Sequence, residues 1–231
     1  MTTLDRVQTH TLEDLVTERW SCRAYRDGSV PHDTIVQLLE LAQKAPSWCN
    51  TQPWEVIVTE GEGTERFRRA LIAHASDRDS TPEPDIPIPA KYAGVHLERR
   101  RESGWQLYEA VGIARGDREA SAQQALKNFE LFGAPHAAII TIDTSLGAYA
   151  ALDTGVYVAN FLLAAHSFGL AAIPQAALAL YSPFIRDYFA IADDRSVLLG
   201  ISFGYPDQDH PANSYRTNRA GLEQVVRWVN D

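Results

Sequence analysis

The stretch "QKAPSWCNTQPW", residues 43–54, ends an apolar run of helical spacing at Pro46 and then changes character. Two tryptophans, an asparagine, a glutamine and a second proline lie within residues 46–54. An ordinary connecting loop would be drawn from small and polar residues such as Gly, Ser, Asp and Lys. A stiff corner that carries aromatic rings and amides therefore indicates more than a connection between two elements.

Composition restricts the kinds of protein that can contain this corner. The 231 residues suffice for one large domain or two small ones, and 45% are hydrophobic and 22% charged, as in soluble globular proteins. A net charge of −9 makes nucleic acid and anionic membranes unfavourable partners. No apolar run reaches the roughly 18 residues of a membrane span. We therefore expect any basic cluster to bind a small anion.

The N-terminus and the cysteines indicate the compartment. "MTTLDRVQTHTLEDLV", residues 1–16, lacks the charged-then-apolar pattern of a signal peptide. Cys22 and Cys49 are too few for a disulfide framework. We expect two free thiols in a cytoplasmic protein.

Alternating helical and strand patterns predict one domain over residues 1–231 that mixes α with β. The proline-rich stretch "STPEPDIPIP", residues 80–89, cannot hold a helix and begins a helical insertion at about 80–130. Helices are predicted at 11–19, between Pro31 and Pro46, and at 64–77, 90–110, 117–130, 148–169 and 182–190, and strands at 54–60, 136–143, 170–174 and 196–206.

The helix predicted at 148–169, "AYAALDTGVYVANFLLAAHSFG", is apolar or small on most sides. Such a helix is buried, either within the monomer or against a second subunit. Because one small domain has too little core to cover all of this surface, the pattern predicts a dimer.

An R-x-S-x-R pattern precedes the corner at Arg19, Ser21 and Arg23. In an extended segment, residues two apart share a face at a spacing of about 6–7 Å. Two guanidinium groups with a hydroxyl between them suit a phosphate dianion. The alternative is a solvated basic stretch after a helix.

A second basic pair, Arg216 and Arg219, lies near the C-terminus. Surface arginines before a final helix are the simpler interpretation. However, the preceding tail "GYPDQDHPANSY", residues 204–215, is polar and irregular, so something must hold it in place. A phosphate bound between the first and last segments of the chain would do so.

The order of these segments, with "LAAIPQ", "GISFGYPD" and "NSYRTNRAGLEQVV" following the corner, resembles the nitroreductase family over roughly residues 12–229. Members are FMN-dependent oxidoreductases that reduce nitroaromatics, quinones and related acceptors. The most specific element is APS-x-x-N-x-QPW. The resemblance implies an α+β fold with a central mixed or antiparallel sheet flanked by helices, and a homodimer with FMN at its interface.

The resemblance also assigns residues to the flavin. Asn50 matches the residue whose amide meets the polar edge of the isoalloxazine ring, and an amide both donates and accepts there. Pro46 and Ser47 match positions along the ring, and Gln52 is placed for a further polar contact. The residues that match the family's phosphate site are Arg19, Ser21, Arg23 and Arg219, and Arg216 is a looser match. The residues that match the segment whose backbone amides approach ring atom N5 are Ile173, Pro174 and Gln175.

Other residues near the corner are not assigned to the flavin. Trp54 is interpreted as core beneath the corner. Trp48 either narrows the pocket or points outward. Cys49 is not catalytic, because flavin chemistry does not need it and a buried free cysteine packs as a small hydrophobe.

The chemistry implied by the resemblance is ping-pong: NAD(P)H delivers a hydride to the flavin and leaves, and a small aromatic acceptor replaces it. No catalytic acid or base is assigned, no metal-ligand spacing occurs, and His136 and His166 are interpreted as structural. The chain lacks a G-x-G-x-x-G after a strand, which fits a nicotinamide that binds only on the flavin.

Substrate choice is expected to depend on the insertion, which contains Tyr92, Trp105, Tyr108 and Phe129 and the arginines at 99–101. The alternative is that these aromatics form a small core of their own. Three rival functions stay open: the same fold acting on another acceptor by dehalogenation or alkene reduction, a flavin-binding protein without turnover, and an anion-binding structural domain.

Overall fold

The computed structural model describes residues 10–230 and is built around a four-stranded sheet. The strands are β1 (Trp54–Thr59), β2 (His136–Asp143), β3 (Ala171–Gln175) and β4 (Arg195–Gly204). They lie in the order β1-β2-β4-β3, and every neighbouring pair is antiparallel. The α+β fold with a central sheet is confirmed, and among these named strands the sheet is antiparallel.

Seven α-helices surround the sheet within the described residues: α1 (Leu12–Glu18), α2 (His32–Ala42), α3 (Glu62–Ser76), α4 (Gly94–Ala110), α5 (Arg118–Leu126), α6 (Gly147–Ser167) and α7 (Ser182–Phe189). All seven correspond to predicted helices. Two bounds differ by four residues: α4 begins at Gly94 and not at 90, and α5 ends at Leu126 and not at 130. The early end of α5 has a backbone cause. Beyond it Leu131 and Phe132 take positive φ angles of 56° and 53°, a left-handed conformation that an α-helix cannot continue.

Side chains on β2 alternate between two apolar clusters, one on each face of the sheet. Ile140 packs with Leu38 of α2 and Phe161 of α6. Ile139 packs with the opposite cluster, beside Phe67 of α3. Both faces are covered, which explains why β2 reads as a nearly continuous apolar run.

Helix α6 packs one face on the sheet and leaves another open. Ala150 and Phe161 are fully buried, whereas Tyr149, Leu152 and Val156 are 54%, 62% and 37% exposed. The expectation that no run matches a membrane span is wrong for the segment Thr144–Ser167, which is long and apolar enough by length and composition, with a mean hydropathy of 1.3. Packing against α2, β2 and β3 explains the apolar residues of the face that is buried, which is 44% of an 18-residue apolar stretch of the segment, and the exposed stripe is apolar as well.

The segment between α3 and α4 is extended and attached to the sheet by Asp85. This carboxylate pairs with Arg186 of α7 and accepts the backbone N–H of Val197 on β4 at 2.8 Å. The aromatics of the insertion divide between two environments. Phe129 is buried against Tyr181, whereas Tyr92 and Trp105 are exposed beneath Arg100 and Arg115, respectively.

Candidate functional site

The R-x-S-x-R segment is extended and lies along the outer edge of β3. Arg19 follows α1 with φ −60° and ψ 134°. Ser21 forms a parallel bridge to Ala172, and the N–H of Cys22 donates to the Ala172 carbonyl at 3.4 Å. The sequence "IPQ" at 173–175 therefore begins one residue beyond this contact.

The C-terminal tail is held against the same segment by a buried asparagine. Asn213 Oδ1 accepts the N–H of Arg23 at 2.8 Å. Its Nδ2 donates to the carbonyls of Ala24 at 2.9 Å and Asp207 at 2.7 Å. The tail is thus fixed without an anion. Sequence reasoning missed Asn213; the only signal was an asparagine beside Tyr215 and Arg216 in an otherwise irregular tail.

The predicted phosphate-site arginines lie close together around these contacts. Burial lowers the pKa of Arg19, and the nearby Arg219 charge lowers it further. Arg216 lies over the ring of Trp20 at 4.3 Å and donates to the Asn213 carbonyl at 2.8 Å. Arg23 lies 5.7 Å from the centroid of the Tyr215 ring.

Within residues 10–230, none of these four arginines forms an ion pair with a carboxylate. Like charges held together without a counter-charge raise the free energy of the folded chain. A bound dianion would instead lower the free energy of the folded chain, because two or more guanidinium groups can donate hydrogen bonds to its oxygens.

A cavity of about 300 Å³ opens beside Arg23 and residues 173–175. Along β3 the side chains alternate: Ile173 and Gln175 are buried, whereas Pro174 and Ala176 are partly or fully open. The opposite wall comes from the insertion, and it contains residues that the sequence did not single out as cofactor contacts, namely Leu107, Tyr108, Gln124, Asn128 and Phe132. Gln124 and Asn128 are four residues apart, a helical spacing that could have drawn attention to them.

The corner is a turn of 3₁₀-helix, Trp48–Asn50, with a strained backbone. Cys49, Asn50 and Gln52 have φ angles of 51°, 56° and 48°. Such left-handed conformations at residues other than glycine cost of order 1–3 kcal/mol each where they are unfavourable, and they occur often at functional sites.

Hydrogen bonds hold the corner in this shape. The N–H of Trp48 donates to the Asp153 carboxylate of α6 at 3.0 Å, and the N–H of Gln52 donates to Ser47 Oγ at 3.0 Å. Gln52 Oε1 accepts from Gln43 at 2.9 Å, and Gln52 Nε2 donates to the Asn50 carbonyl at 3.2 Å. The Gln52 amide is thus engaged within the corner.

The core beneath the corner is formed by Trp54, as the sequence predicts. Its Nε1 donates to Gln43 at 2.9 Å, and its ring packs 5.0 Å from that of Tyr157. These residues also line a groove of about 970 Å³ between α2, β1 and α6.

The outer face of the corner is open. Pro46 and Asn50 are exposed and Ser47 is half-buried, and the Asn50 carboxamide makes no hydrogen bond to any residue in 10–230. Trp48 is 60% exposed and packs on Tyr149 at 4.5 Å. Cys49 is exposed, so the expectation that it packs as a buried cysteine is wrong; the 3₁₀ turn directs Cys49 away from the core.

The predicted site residues therefore form two groups. The arginines, Ser21 and residues 173–175 are connected through β3 and the C-terminal tail. The corner residues make their contacts with α2 and α6. That either group binds a flavin stays a prediction.

Comparison with known proteins gives a consistent result. The family model described as "Nitroreductase family" matches residues 16–205. The nitroreductase NfnB of Mycolicibacterium smegmatis is 37% identical over 94% of this chain and 92% of its own length. A 4-nitrobenzoate reductase of Pseudomonas putida is 32% identical, with 96% of both chains covered.

Solved structures agree in fold. The crystal structure of the FMN-dependent nitroreductase NfnB from Mycobacterium smegmatis in complex with NADPH superposes with a TM-score of 0.88 at 37% identity, covering 94% of this chain and 97% of that one. The FMN- and NADPH-dependent NfnB of a Sphingopyxis strain ("sphigopyxis sp. strain HMH") gives 0.91 at 28% identity, covering 96% and 100%. On the family match, the identity and the shared fold, this chain belongs to the nitroreductase family.

Proposed function

We propose that the chain is an FMN-dependent oxidoreductase that uses NAD(P)H to reduce nitroaromatic or quinone-type acceptors by a ping-pong mechanism. The observation that carries this proposal is the group of four arginines that have no carboxylate partner within residues 10–230. One of them, Arg23, lines the cavity at β3. Membership of the nitroreductase family supplies the reaction class.

The residues present fit FMN. Arg19, Ser21, Arg23 and Arg219 would bind the phosphate, and Arg216 would add charge from its position over Trp20. The backbone at residues 173–175 and the side chain of Asn128 would bound the ring. When bound, FMN supplies a single ring position that accepts and then donates a hydride.

The protein's part in the reaction is to bind and orient. The arginines fix the phosphate, and backbone N–H groups at the end of β3 stabilise negative charge that develops near them. The exposed Asn50 amide can donate and accept at a polar ring edge. We assign no general acid or base, and the proton comes from solvent.

Relatives support the choice of acceptor and donor. Two of the similar enzymes are 4-nitrobenzoate reductases. Of two NfnB enzymes of known structure, one is in complex with NADPH and the other is NADPH-dependent. We propose a small nitroaromatic as acceptor, and NADPH or NADH as donor.

We also propose that the chain acts in the cytoplasm as a homodimer. The exposed α6 stripe of Tyr149, Leu152 and Val156 is apolar surface that a second subunit would bury. The C-terminal tail adds two exposed apolar side chains, Leu222 at 68% and Trp228 at 75%. The corner and the arginine group make separate contacts within one chain. A second copy could bring its corner to the arginine group and complete one site.

An absorption spectrum of the purified protein tests the function. We expect a flavin spectrum, bleaching when NADPH is added without air, and recovery of the colour when 4-nitrobenzoate or a quinone follows. A preparation that stays colourless after incubation with FMN would contradict the proposal and favour an anion-binding domain. A yellow protein that oxidises neither NADH nor NADPH would instead favour flavin binding without turnover.

A further inference from the structure

The last residue of β3, Gln175, has a side chain that is only 2% exposed although it lies at the wall of the cavity. A buried amide needs hydrogen-bond partners. Gln175 Nε2 donates to the Asn128 carbonyl at 2.9 Å and to Asn128 Oδ1 at 3.3 Å. Its Oε1 accepts from the hydroxyl of Ser202 on β4. The side chain thus joins the end of the insertion to two strands.

The direction of this amide is determined by its partners. A backbone carbonyl can only accept a hydrogen bond, so the Nε2 end of Gln175 must face Asn128. The Oε1 end then faces Ser202, and the Ser202 hydroxyl must donate. Ser202 is itself fixed, because its carbonyl accepts from Tyr25 OH at 2.9 Å.

The same logic fixes the Asn128 amide. Its Nδ2 donates to the Ala125 carbonyl at 3.0 Å, which again can only accept. Asn128 Oδ1 therefore faces Gln175, and within residues 10–230 the second hydrogen of Nδ2 has no partner. A wall residue of the cavity thus has an amide of fixed polarity with one free donor.

We propose that Gln175 is a positioning residue, whose side chain, held by Ser202, orients the Asn128 amide so that it presents an N–H donor to a carbonyl-bearing ring in this cavity. The inference deepens the proposed function and depends on it. A donor at a ring carbonyl stabilises the negative charge of the reduced ring more than the neutral oxidised ring. Gln175 therefore raises the reduction potential of the bound flavin through Asn128.

The test compares Gln175→Glu and Gln175→Met with wild type. Glutamate keeps the size but sets a carboxylate against the carbonyl and Oδ1 of Asn128, so the two oxygens repel it and the Asn128 amide is displaced from its position between Gln175 and Ala125. Methionine removes the orienting bonds. The matched control is Gln123→Glu, the same change at an exposed position of α5.

FMN affinity and the midpoint potential of the bound flavin are measured for each. We expect the Gln175 variants to bind reduced FMN about tenfold more weakly relative to oxidised FMN, which for a two-electron couple lowers the potential by about 30 mV. Gln123→Glu should leave the potential unchanged. A Gln175 variant that lowers thermal stability but keeps the wild-type potential would show a merely structural role and overturn the inference.

If the Gln175 variants do not fold, Asn128→Asp replaces the donor by an acceptor at the half-buried wall position and should lower the potential in the same way. An unchanged potential in Asn128→Asp overturns the inference while leaving FMN binding intact. Failure of the proposed function looks different, because the wild type itself would then bind no FMN.

Discussion

The guanidinium of Arg23 connects the phosphate-site arginines to the cavity, since it lines the cavity and lies over Tyr215. We expect Arg23→Ala to weaken FMN binding by about 2 kcal/mol, or roughly 30-fold, because charge-assisted hydrogen bonds contribute about 1.5–3 kcal/mol. Fluorescence titration with FMN and with riboflavin measures the effect.

The matched control for Arg23 is Arg26→Ala. Arg26 is exposed and lies over the ring of Tyr205, outside the arginine group, so its removal should leave FMN affinity within a factor of about three. The Arg23 variant should lose its preference for FMN over riboflavin. Equal affinity of the unmutated protein for both ligands would contradict a phosphate site.

A second prediction for a single residue concerns the contribution of Asn213 to the free energy of unfolding. Asn213→Ala leaves the Arg23 N–H and two carbonyls without their partner, and each lost hydrogen bond costs about 1 kcal/mol. We expect a loss of about 3 kcal/mol in the free energy of unfolding, measured by urea denaturation. Asn218→Ala, at an exposed residue with one bond to Glu102, should cost under about 1 kcal/mol; equal losses would refute the role of Asn213.

Single residues differ in how far the sequence reveals them. The spacing of Arg19, Ser21 and Arg23 was readable, because an extended segment places them on one face. The role of Asn213 could not be predicted, because its bond to Arg23 spans 190 residues of sequence and a buried asparagine is recognised only through its partners. The role of Asn128 was missed for the same reason, since its partner Gln175 lies on a strand that is distant in the sequence.

At the scale of elements, the sequence pattern located the seven α-helices and four strands that the structure describes within residues 10–230, because the period of burial follows from backbone geometry. It did not locate the 3₁₀-helices. The corner was predicted to be stiff from its prolines and amides. Its left-handed residues were not predicted, because among Cys49, Asn50 and Gln52 only asparagine is common in that region. The bonds to Asp153 and Ser47 that hold the shape come from tertiary packing.

The junction between β2 and the loop before α2 should be sensitive to pH. His136 is buried: its Nε2 accepts the N–H of Val30 at 2.9 Å, and its Nδ1 lies 3.3 Å from the Thr59 carbonyl, to which it donates. Burial lowers the pKa of His136, against a smaller opposite effect of the Thr59 carbonyl. Protonation would set a second N–H against that of Val30.

Because the folded-state pKa of His136 lies below the unfolded value of about 6.5, the unfolded chain binds more protons in this window. The free energy of unfolding should therefore be fully retained above about pH 6.5 and should fall as the pH drops toward the folded-state pKa. Urea denaturation from pH 7.5 to 5 should show a shallower slope for His136→Gln than for wild type. His32→Gln, at an exposed histidine, should keep the wild-type slope; a steep slope in both variants would assign the dependence to other groups.

At the scale of the whole molecule, the sequence predicted the family, the order of segments and a homodimer, but not which face of α6 packs within the chain. The apolar pattern of α6 predicted burial without saying against what. The structure covers one face with the sheet and leaves Tyr149, Leu152 and Val156 exposed. Within one chain the corner and the arginine group make separate contacts, and the proposed second copy would bring a corner to the arginine group.

Leu152→Glu tests this assembly. A charge in the middle of the α6 stripe, at a side chain 62% exposed in one chain, should leave the monomer folded but prevent the desolvation that a dimer requires. We expect a dimer for wild type and a monomer for the variant in sedimentation velocity, with FMN affinity reduced at least tenfold because the partner's corner is lost. Ile88→Glu, at a 53% exposed residue of the extended segment between α3 and α4, should remain dimeric and bind FMN normally. A monomeric wild type that still binds FMN tightly would mean that one chain suffices and that the corner and the arginines do not share a ligand.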